Sequence, residues 1–557
     1  HPTHSSKESV SELQMNGKWA NSRREAGEDN IFQNFVSQFS PNTSSYYSPF
    51  NIHFNCRIFR HRPILLHYPV PVGNRQYPNS LFISLNHPPN LQKMNTIERL
   101  GEIQRQIEGN DPDLTTLSIG RFSYFPSDGE WERDGKGIGR NKHIKKLRFG
   151  NNLGVDLRYH NVSRGEFEAF CTGLAGNDSV EHLKMCSSDL FGGEIFNMLT
   201  PFFEQNNKLR RLTVGGVDDI SPNEVRFLSQ SLARFNTLRE FRLAPNSRIS
   251  DHEGEGESLI RALAEHSELT TLDLVRTKVE GRAMEALAAL LSKPNSFLAD
   301  LTLSACLLDD NTAEILAVAL GGTSTTLRGL NLAYNGNVTF AGWRVIFAQT
   351  LNPQSLLEKL RLKGNSIDDT TANLLVSGLA DNTHLKVLDL GFNNRISNDG
   401  WWSVFDFISS PRCMLEELIL DDNRFGDEHV TYLANLLASN CGLKKLSLGR
   451  NNDVTASGWG AVSAVLQNPD LALETVNLRW NPIDDDALVS FGNSLTHNSK
   501  LKELLLEYEE DDHIIADGTA GWEALSNVLC NKSSVEATFN SNHTLQRIHQ
   551  KYEESFL

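Results

Sequence analysis

Several features that mark enzymes, metal sites and membrane proteins are missing from this chain of 557 residues. It contains no phosphate-binding loop of the form GxxxxGK(S/T) and no HExxH motif, and its seven cysteines show no paired metal spacing. No run of about eighteen apolar residues occurs, so the sequence predicts no membrane-spanning helix. We therefore expect no catalytic residues, no cofactor, no bound metal and no membrane partner.

Basic residues are scarce beside acidic ones, since 53 lysines and arginines stand against 69 aspartates and glutamates. The resulting net charge of −16 argues against nucleic acid as a partner, because phosphate binding needs a basic surface. The sequence shows no secretory signal, so we expect a cytoplasmic protein. Cys413 and Cys441 occupy matching places in neighbouring repeats, where either a disulfide or two buried thiols would fit, and a cytoplasmic location favours the thiols.

What the chain does have is one pattern, apolar-x-x-apolar-x-apolar, which returns fourteen times at intervals of roughly thirty residues. The copies begin at Leu114, Ile144, Val180, Leu209, Leu238, Leu269, Leu298, Leu327, Leu357, Leu385, Leu415, Leu443, Leu473 and Leu501. Alternate side chains of a strand point to the same face, so the second and third apolar residues face a core together. Each copy therefore predicts one short strand.

An asparagine follows most of the later strands, three residues after the third apolar residue: Asn335, Asn365, Asn393, Asn423, Asn451 and Asn481. An amide side chain both donates and accepts hydrogen bonds, so it can satisfy backbone groups where the chain turns. Stacked copies then predict a ladder of equivalent bonds.

A helix is predicted between successive strands, because apolar residues recur there three and four positions apart, as at Leu375 and Leu379. Acidic residues often precede these helices: Asp309, Asp310, Asp368, Asp369, Asp427, Glu428, Asp484 and Asp485. We interpret them as helix caps rather than as metal ligands or acid–base groups, because they recur with the repeat.

Two repeat types alternate from Leu327 onward, since the starting positions differ by 30 (357 − 327), then 28 (385 − 357), and so on. The longer type carries Gly-Trp near its helix start, at Trp343, Trp401, Trp459 and later Trp522. An apolar residue follows each Trp three positions on. This spacing favours a core role for the indoles over a binding role.

The segment Pro411-Arg-Cys413-Met-Leu415-Glu-Glu-Leu418-Ile-Leu420-Asp-Asp-Asn423, with the alternating lengths, resembles leucine-rich repeats of the ribonuclease-inhibitor type. The resemblance covers residues 114–509 and implies an α/β solenoid, a horseshoe with parallel strands on the concave face and helices on the convex face. It also implies a non-enzymatic scaffold that binds a protein partner.

The predicted organisation has four parts. We expect a disordered leader over residues 1–93, with Met94 as the natural start, and an N-terminal capping helix over 94–113. The repeats occupy 114–509, and a C-terminal helix and cap occupy 510–557. A solenoid grows by adding repeats, so one elongated domain and a monomer are expected.

The residues expected to contact the partner lie between the apolar strand positions or at the strand exit: Tyr334, Arg361, Asp389, Phe392, Asp421, Arg450, Arg479, Trp480, Glu507 and Tyr508. Aromatic and Arg side chains dominate interface energies. Packing on the neighbouring turn is an equal alternative for Tyr334 and Phe392, so Trp480 and Tyr508 are preferred. The early repeats instead carry a basic stretch: Lys146, Arg148, Lys184, Arg211 and Arg242.

A second functional hypothesis comes from the same resemblance, because this repeat class also occurs in the activating protein of the Ran GTPase. In that case a rim arginine would complete the active site of another protein, and Arg395, Arg424 and Arg450 are the candidates. We expect the scaffold first and the GTPase activator as the alternative.

Overall fold

The computed structural model of this protein describes residues 53–54, 64–65, 96–119, 130–149, 163–185, 194–215, 220–243, 254–294, 296–323, 326–437, 442–506, 519–529 and 541–548. These elements belong to one compact unit, formed by Ile52–His67 and Ser80–Leu557. Its main feature is a fourteen-stranded sheet in which every strand pairs in parallel with the next one in chain order. The sheet is open, and helices alternate with its strands.

Each strand of this sheet begins two residues after the first apolar residue of its repeat. The strands are β3 Thr116–Ile119, β4 Lys146–Phe149, β5 His182–Met185, β6 Arg211–Val214, β7 Glu240–Leu243, β8 Thr271–Asp273, β9 Asp300–Thr302, β10 Gly329–Asn331, β11 Lys359–Arg361, β12 Val387–Asp389, β13 Glu417–Ile419, β14 Lys445–Ser447, β15 Thr475–Asn477 and β16 Glu503–Leu505. Leu330 pairs with Leu301 on one side and Leu360 on the other. The predicted α/β leucine-rich repeat solenoid is confirmed.

The helices lie between the strands in the chain. They are Thr96–Glu108, Trp131–Arg140, Arg164–Leu174, Ile195–Met198, Thr200–Gln205, Pro222–Leu232, Glu255–Leu263, Gly281–Leu291, Asp310–Thr323, Phe340–Thr350, Asp369–Asp381, Asn398–Ser409, Asp427–Leu437, Ala456–Val465, Asp485–Leu495 and Thr519–Leu529. Apolar residues of sheet and helices form one continuous buried core. Most outward residues of the strands remain exposed or half-buried, as the alternation predicts, whereas Gly329, Asp389 and Leu505 are buried.

Apolar residues extend this core beyond both ends of the repeats. Ile103 and Ile107 of the first helix are buried, and so are Leu545 and Ile548 near the C-terminus. The Leu504 N–H donates to the Arg547 carbonyl at 2.8 Å, so residue 547 continues the sheet pattern. The predicted leader lies outside the described residues, apart from an antiparallel pair of β1 His53–Phe54 with β2 Ile64–Leu65.

The predicted asparagine ladder is confirmed, and it runs from repeat to repeat. The backbone N–H of Asn393 donates to Oδ1 of Asn423 at 2.8 Å, and the N–H of Asn365 donates to Oδ1 of Asn393 at 3.0 Å. The Asn393 amide nitrogen donates to the carbonyls of Leu362 and Leu390. Asn393 is fully buried, so its side chain, rather than water, satisfies the polar backbone groups of the turn.

A second set of buried asparagines, which we did not predict, holds the entry to several strands. Its members are Asn141, Asn177, Asn206, Asn382, Asn498 and Asn542. Asn498 accepts the Leu501 N–H at 2.7 Å and donates to the Leu466 carbonyl of the preceding repeat at 2.7 Å. The strand entry is thus tied to the preceding repeat by an amide side chain.

The acidic pairs are helix caps, as expected, but the two members cap different helices. The first caps its own helix, since Asp368 accepts the Thr371 N–H at 2.9 Å, and hydrogen bonds from Thr371 lower the pKa of Asp368. The second reaches the next helix, since Asp369 accepts the Ser397 N–H at 2.7 Å and the Ser397 hydroxyl at 2.6 Å. Asp427, the first of its pair, bonds Thr455 of the next helix in the same way. Consecutive helices are therefore joined through their N-termini.

The Gly-Trp motif follows from this second cap. The indoles of Trp343, Trp401 and Trp459 are at most 2% exposed, which confirms the core prediction, whereas Trp522 is only partly buried. A Cβ atom on Gly458 would lie 2.6 Å from Asp427 Oδ1 and 2.6 Å from Val454 Cγ1. Glycine therefore leaves room for the carboxylate that caps the helix.

The two glycines of the helix Ala456–Val465 provide a direct test of this steric argument. We expect Gly458→Ala to lower the free energy of unfolding by about 1–3 kcal/mol, because the added methyl overpacks the cap. Gly460 has no atom within 4 Å of its Cβ position. Gly460→Ala should therefore stabilise the helix by roughly 0.5–1 kcal/mol. Equal effects of both changes in urea denaturation would contradict the account.

Removing one member of the asparagine ladder should destabilise the repeats on both sides of it. We expect Asn393→Ala to lower the free energy of unfolding by about 1–3 kcal/mol, because buried backbone groups lose their partners. Asn373 lies exposed on the helix Asp369–Asp381, so Asn373→Ala should change stability by about 0.5 kcal/mol or less. Thermal unfolding followed by circular dichroism would compare the two variants.

Candidate protein-binding surface

One residue in each of eight successive repeats, at the point where the strand ends, shares an unusual backbone conformation. We call these residues the strand-exit row: Arg276, Ala305, Tyr334, Gly364, Phe392, Asp422, Arg450 and Trp480, all with φ between 54° and 69°. The N–H groups of the first seven donate to a carbonyl of the next repeat, as Tyr334 does to Lys363 at 2.7 Å and Phe392 to Asp421 at 2.8 Å. The left-handed turn is therefore a constant part of the repeat.

Glycine adopts a left-handed backbone most easily, yet the row contains only Gly364. A residue with a Cβ atom costs roughly 1–2 kcal/mol more in this conformation. The fold alone would favour glycine throughout the row. The side chains present here are therefore candidates for a functional role, because strained backbone is found preferentially at functional sites.

Tyr334 and Phe392 are the exposed aromatic side chains of this row, each at 47% relative exposure. They follow β10 and β12, so their backbones lie roughly 10 Å apart at ordinary strand spacing. A Cβ atom on the intervening Gly364 would lie 2.5 Å from Cδ1 of Tyr334. The Tyr334 ring thus rests on the next turn and still exposes about half of its surface, which combines the two alternatives that the sequence left open.

Trp480 is more covered than those two rings, because Arg450 lies over it. The guanidinium carbon of Arg450 is 5.3 Å from the Trp480 ring centroid, a cation–π distance. Arg450 is itself exposed, whereas Trp480 and Arg479 are half-buried. The preference for Trp480 over Tyr334 and Phe392 therefore does not match their exposure.

Charged residues fill the strand face between these aromatic groups. Arg361 on β11 is exposed, whereas Asp389, its register partner on β12, is only 8% exposed and accepts the Gly391 N–H at 3.0 Å. Asp421 accepts the Ser447 hydroxyl at 2.6 Å. Burial raises the pKa of both aspartates. These two carboxylates hold local turns as well as contributing negative charge.

Lys363 provides a positive charge that acts on both of these aspartates. Its ammonium nitrogen is 3.7 Å from Oδ2 of Asp422. Burial opposes the charge on Lys363, but the surrounding groups, including Asp421 and Asp389, raise its pKa overall. The lysine therefore balances part of the acidic cluster.

The structure places eight of the ten predicted contact residues along one side of the sheet, between Tyr334 and Trp480. They spread over six neighbouring strands, about 24 Å at ordinary spacing, and form a surface rather than a pocket. Glu507 and Tyr508 lie outside the described residues. Such an extended surface suits a macromolecule better than a small ligand.

Two further findings concern the described ranges alone. No group of three or more His, Cys, Asp or Glu side chains there is arranged to hold a metal ion. Within the same ranges, no helix combines the length and the apolar composition needed to cross a bilayer.

Asp273 on β8 marks the boundary between the acidic middle and the basic early repeats. Burial raises its pKa to about 6, although the Val275 N–H and the charge of Arg242 act in the opposite direction. A carboxyl group whose pKa is higher in the folded state favours folding only while it is protonated. Asp273 therefore destabilises the folded state increasingly as the pH rises from its unfolded pKa of 3.8 to its folded pKa of about 6.

We expect Asp273→Asn to stabilise the protein at pH 8 by about 1–3 kcal/mol, because the amide keeps the hydrogen bond to Val275 without a buried charge. At pH 5 the gain should be roughly half as large, since the native carboxyl is then mostly protonated. Urea denaturation of both proteins at the two pH values measures the difference. A gain that grows as the pH falls would contradict the assignment.

The comparisons with known proteins agree with the repeat pattern. The family described as "Leucine Rich repeat" matches residues 381–400 and 473–492. The chain is 27% identical over 254 residues to NACHT, LRR and PYD domains-containing protein 12 of Homo sapiens, covering 46% of this chain and 24% of that protein. It is 25% identical over 319 residues to the mouse (Mus musculus) protein 14 of the same name, covering 56% and 31%. The chain thus spans a quarter to a third of the length of these curated relatives.

Two solved structures show a weaker likeness. The leucine-rich repeat-containing protein LegL7 from Legionella pneumophila is 18% identical, with 56% of this chain and 96% of that chain covered and a TM-score of 0.37. A chain of the yeast Rad7 and Elc1 complex is 12% identical, with 83% and 90% covered and a TM-score of 0.39. At this level neither structure supports a functional assignment. The matched repeats and the fourteen strands in register show that the chain contains leucine-rich repeats and folds as a leucine-rich repeat solenoid.

Proposed function

We propose that this protein is a non-enzymatic scaffold of the ribonuclease-inhibitor-like type, which binds a protein partner on the concave strand face between Tyr334 and Trp480. The observation that carries the proposal is the pair of exposed aromatic rings at Tyr334 and Phe392, on backbone that favours glycine. Aromatic anchors of this kind supply much of the binding energy in protein interfaces, often about 2 kcal/mol or more each on truncation.

The surroundings of these rings support a protein partner. Arg361 and Lys359 are exposed on β11, and Asp422 lies half-buried in the row between Phe392 and Arg450. Mixed charge around apolar anchors is typical of the polar rim of an interface, where it orients the partner. The spread of these residues over six neighbouring strands favours an extended protein surface as the ligand.

The relatives are consistent with this proposal, since their names include LRR domains. Their other named domains belong to proteins several times longer than the matched region, so their activities are not transferred to this chain. Residence in the cytoplasm and a monomeric state remain predictions of the sequence.

The left-handed backbone allows a clean test, because glycine can replace Tyr334 and Phe392 without strain. The double variant Tyr334→Gly/Phe392→Gly should fold with an unchanged or higher unfolding midpoint. Its affinity for the partner, captured with the wild-type protein and then purified, should fall by at least about tenfold. Calorimetric titration of the purified partner measures the change.

The matched control removes equally exposed apolar groups at the strand entry instead of the exit. Phe297 is 60% exposed and Met414 is 53% exposed, and each precedes the first leucine of its repeat. Phe297→Ala/Met414→Ala should bind the partner like the wild type. Wild-type affinity in the glycine variant, or an equal loss in both variants, would refute the proposed site.

A further inference from the structure

Four neighbouring strands near the N-terminal end of the sheet present a surface of opposite charge to the chain as a whole. Their outward positions form two rows in register: Lys146, His182, Arg211 and Glu240 in the first, and Arg148, Lys184, Thr213 and Arg242 in the second. We call these eight residues the basic patch. Five are Lys or Arg and one is Glu, which gives 5 − 1 = +4 with neutral histidine, against −16 for the whole chain.

The one carboxylate of the patch is already shared between two arginines. Glu240 accepts from Arg211 at 2.6 Å and from Arg242 at 3.4 Å. Burial opposes the charge on Glu240, but the bond and charge of Arg211 lower its pKa overall. Glu240 is therefore ionised at neutral pH and shared by Arg211 and Arg242. Its single negative charge does not neutralise all the basic residues of the patch.

Lys146 and Arg148 on β4 make no ion pair within the described part of the chain. Lys146 is exposed, Arg148 is half-buried, and both face away from the core. His182 on the adjacent strand has its pKa lowered by burial and by the charges of Arg211 and Lys146. The nearby positive charges thus oppose protonation of His182.

Elsewhere the repeats balance the charges of neighbouring strands. At the strand entries, Glu416 pairs with Lys444 at 2.7 Å and Glu474 pairs with Lys502 at 2.6 Å. Like charges on adjacent strands destabilise a sheet, so Lys146 and Arg148, which make no ion pair within the described ranges, are not explained by the fold. An anionic ligand would complement the charge of these two side chains.

We propose that the basic patch binds an acidic segment of a protein, a run of Asp and Glu side chains. The patch is four strands wide, about 14 Å at ordinary spacing, so a short segment can cover it without meeting the acidic remainder of the surface. None of its eight residues is Phe, Tyr or Trp, so it lacks the large rings on which bases typically stack in single-stranded nucleic acid sites. This surface extends the proposed scaffold function to a second site with separate residues.

A fluorescein-labelled peptide of ten glutamates is a suitable probe, with binding to the full chain followed by fluorescence anisotropy. We expect saturable binding that weakens as salt is raised, because exposed charges are screened. Lys146→Glu/Arg148→Glu should weaken binding by at least about tenfold, since two attractive charges become repulsive. The neutral pair Lys146→Gln/Arg148→Gln should give an intermediate loss, and circular dichroism should show that both variants fold.

The charge-matched control is Arg282→Glu/Arg344→Glu, two exposed helix positions outside the strand face. It changes the net charge equally and should bind the peptide within about twofold of the wild type. No binding by the wild type, or an equal loss in patch and control variants, would overturn the proposal. Tighter binding of a labelled oligothymidine to the patch would overturn it in favour of nucleic acid. The Tyr334→Gly/Phe392→Gly variant should bind the peptide normally, so the two proposals fail independently.

Discussion

Hydrogen bonds from each repeat to the next are the interaction on which this structure depends. The backbone N–H of Asn393 finds its acceptor on Asn423, one repeat later, and the helix that begins after Thr455 is capped by Asp427 from the repeat before it. A buried polar group without a partner is costly, so a repeat on its own would leave these groups unsatisfied. The repeats therefore stabilise one another in a single register, as expected for a chain of units that contact only their neighbours.

A fixed register turns positions of the repeat into rows of side chains on the surface. The core and the turns fix the identity of the leucines, the ladder asparagines and the capping aspartates. They leave the choice of side chain freer at most outward strand positions and in the strand-exit row. The two unusual rows differ in what they present. Tyr334 and Phe392 offer apolar rings from a strained backbone, and Lys146 and Arg148 offer positive charge that no ion pair in the described ranges neutralises. Both depart from what the fold requires, and both are therefore the best evidence of function in this chain.

Much of the fold was predictable because burial leaves a periodic trace in the sequence. The leucines located all fourteen strands, and helical spacing placed Trp343 in the core. The site was less predictable, because spacing tells which face a residue occupies but not what lies beside it one repeat away. Nothing in the sequence shows that Phe392 has a left-handed backbone, since glycine is the usual signal of that conformation. The packing of Arg450 against the Trp480 ring and the burial of Asp389 likewise depend on neighbouring repeats.

Native-state hydrogen exchange, resolved to single amides, tests most directly the claim that bonds between repeats hold the register. The backbone N–H groups of Asn365, Asn393 and Asn423 lie outside the strands, but each donates to the side chain of the following asparagine. We expect these amides to exchange as slowly as those of the central strands, because their hydrogen bonds break only when neighbouring repeats separate. Exchange as fast as that of exposed turns would contradict this claim.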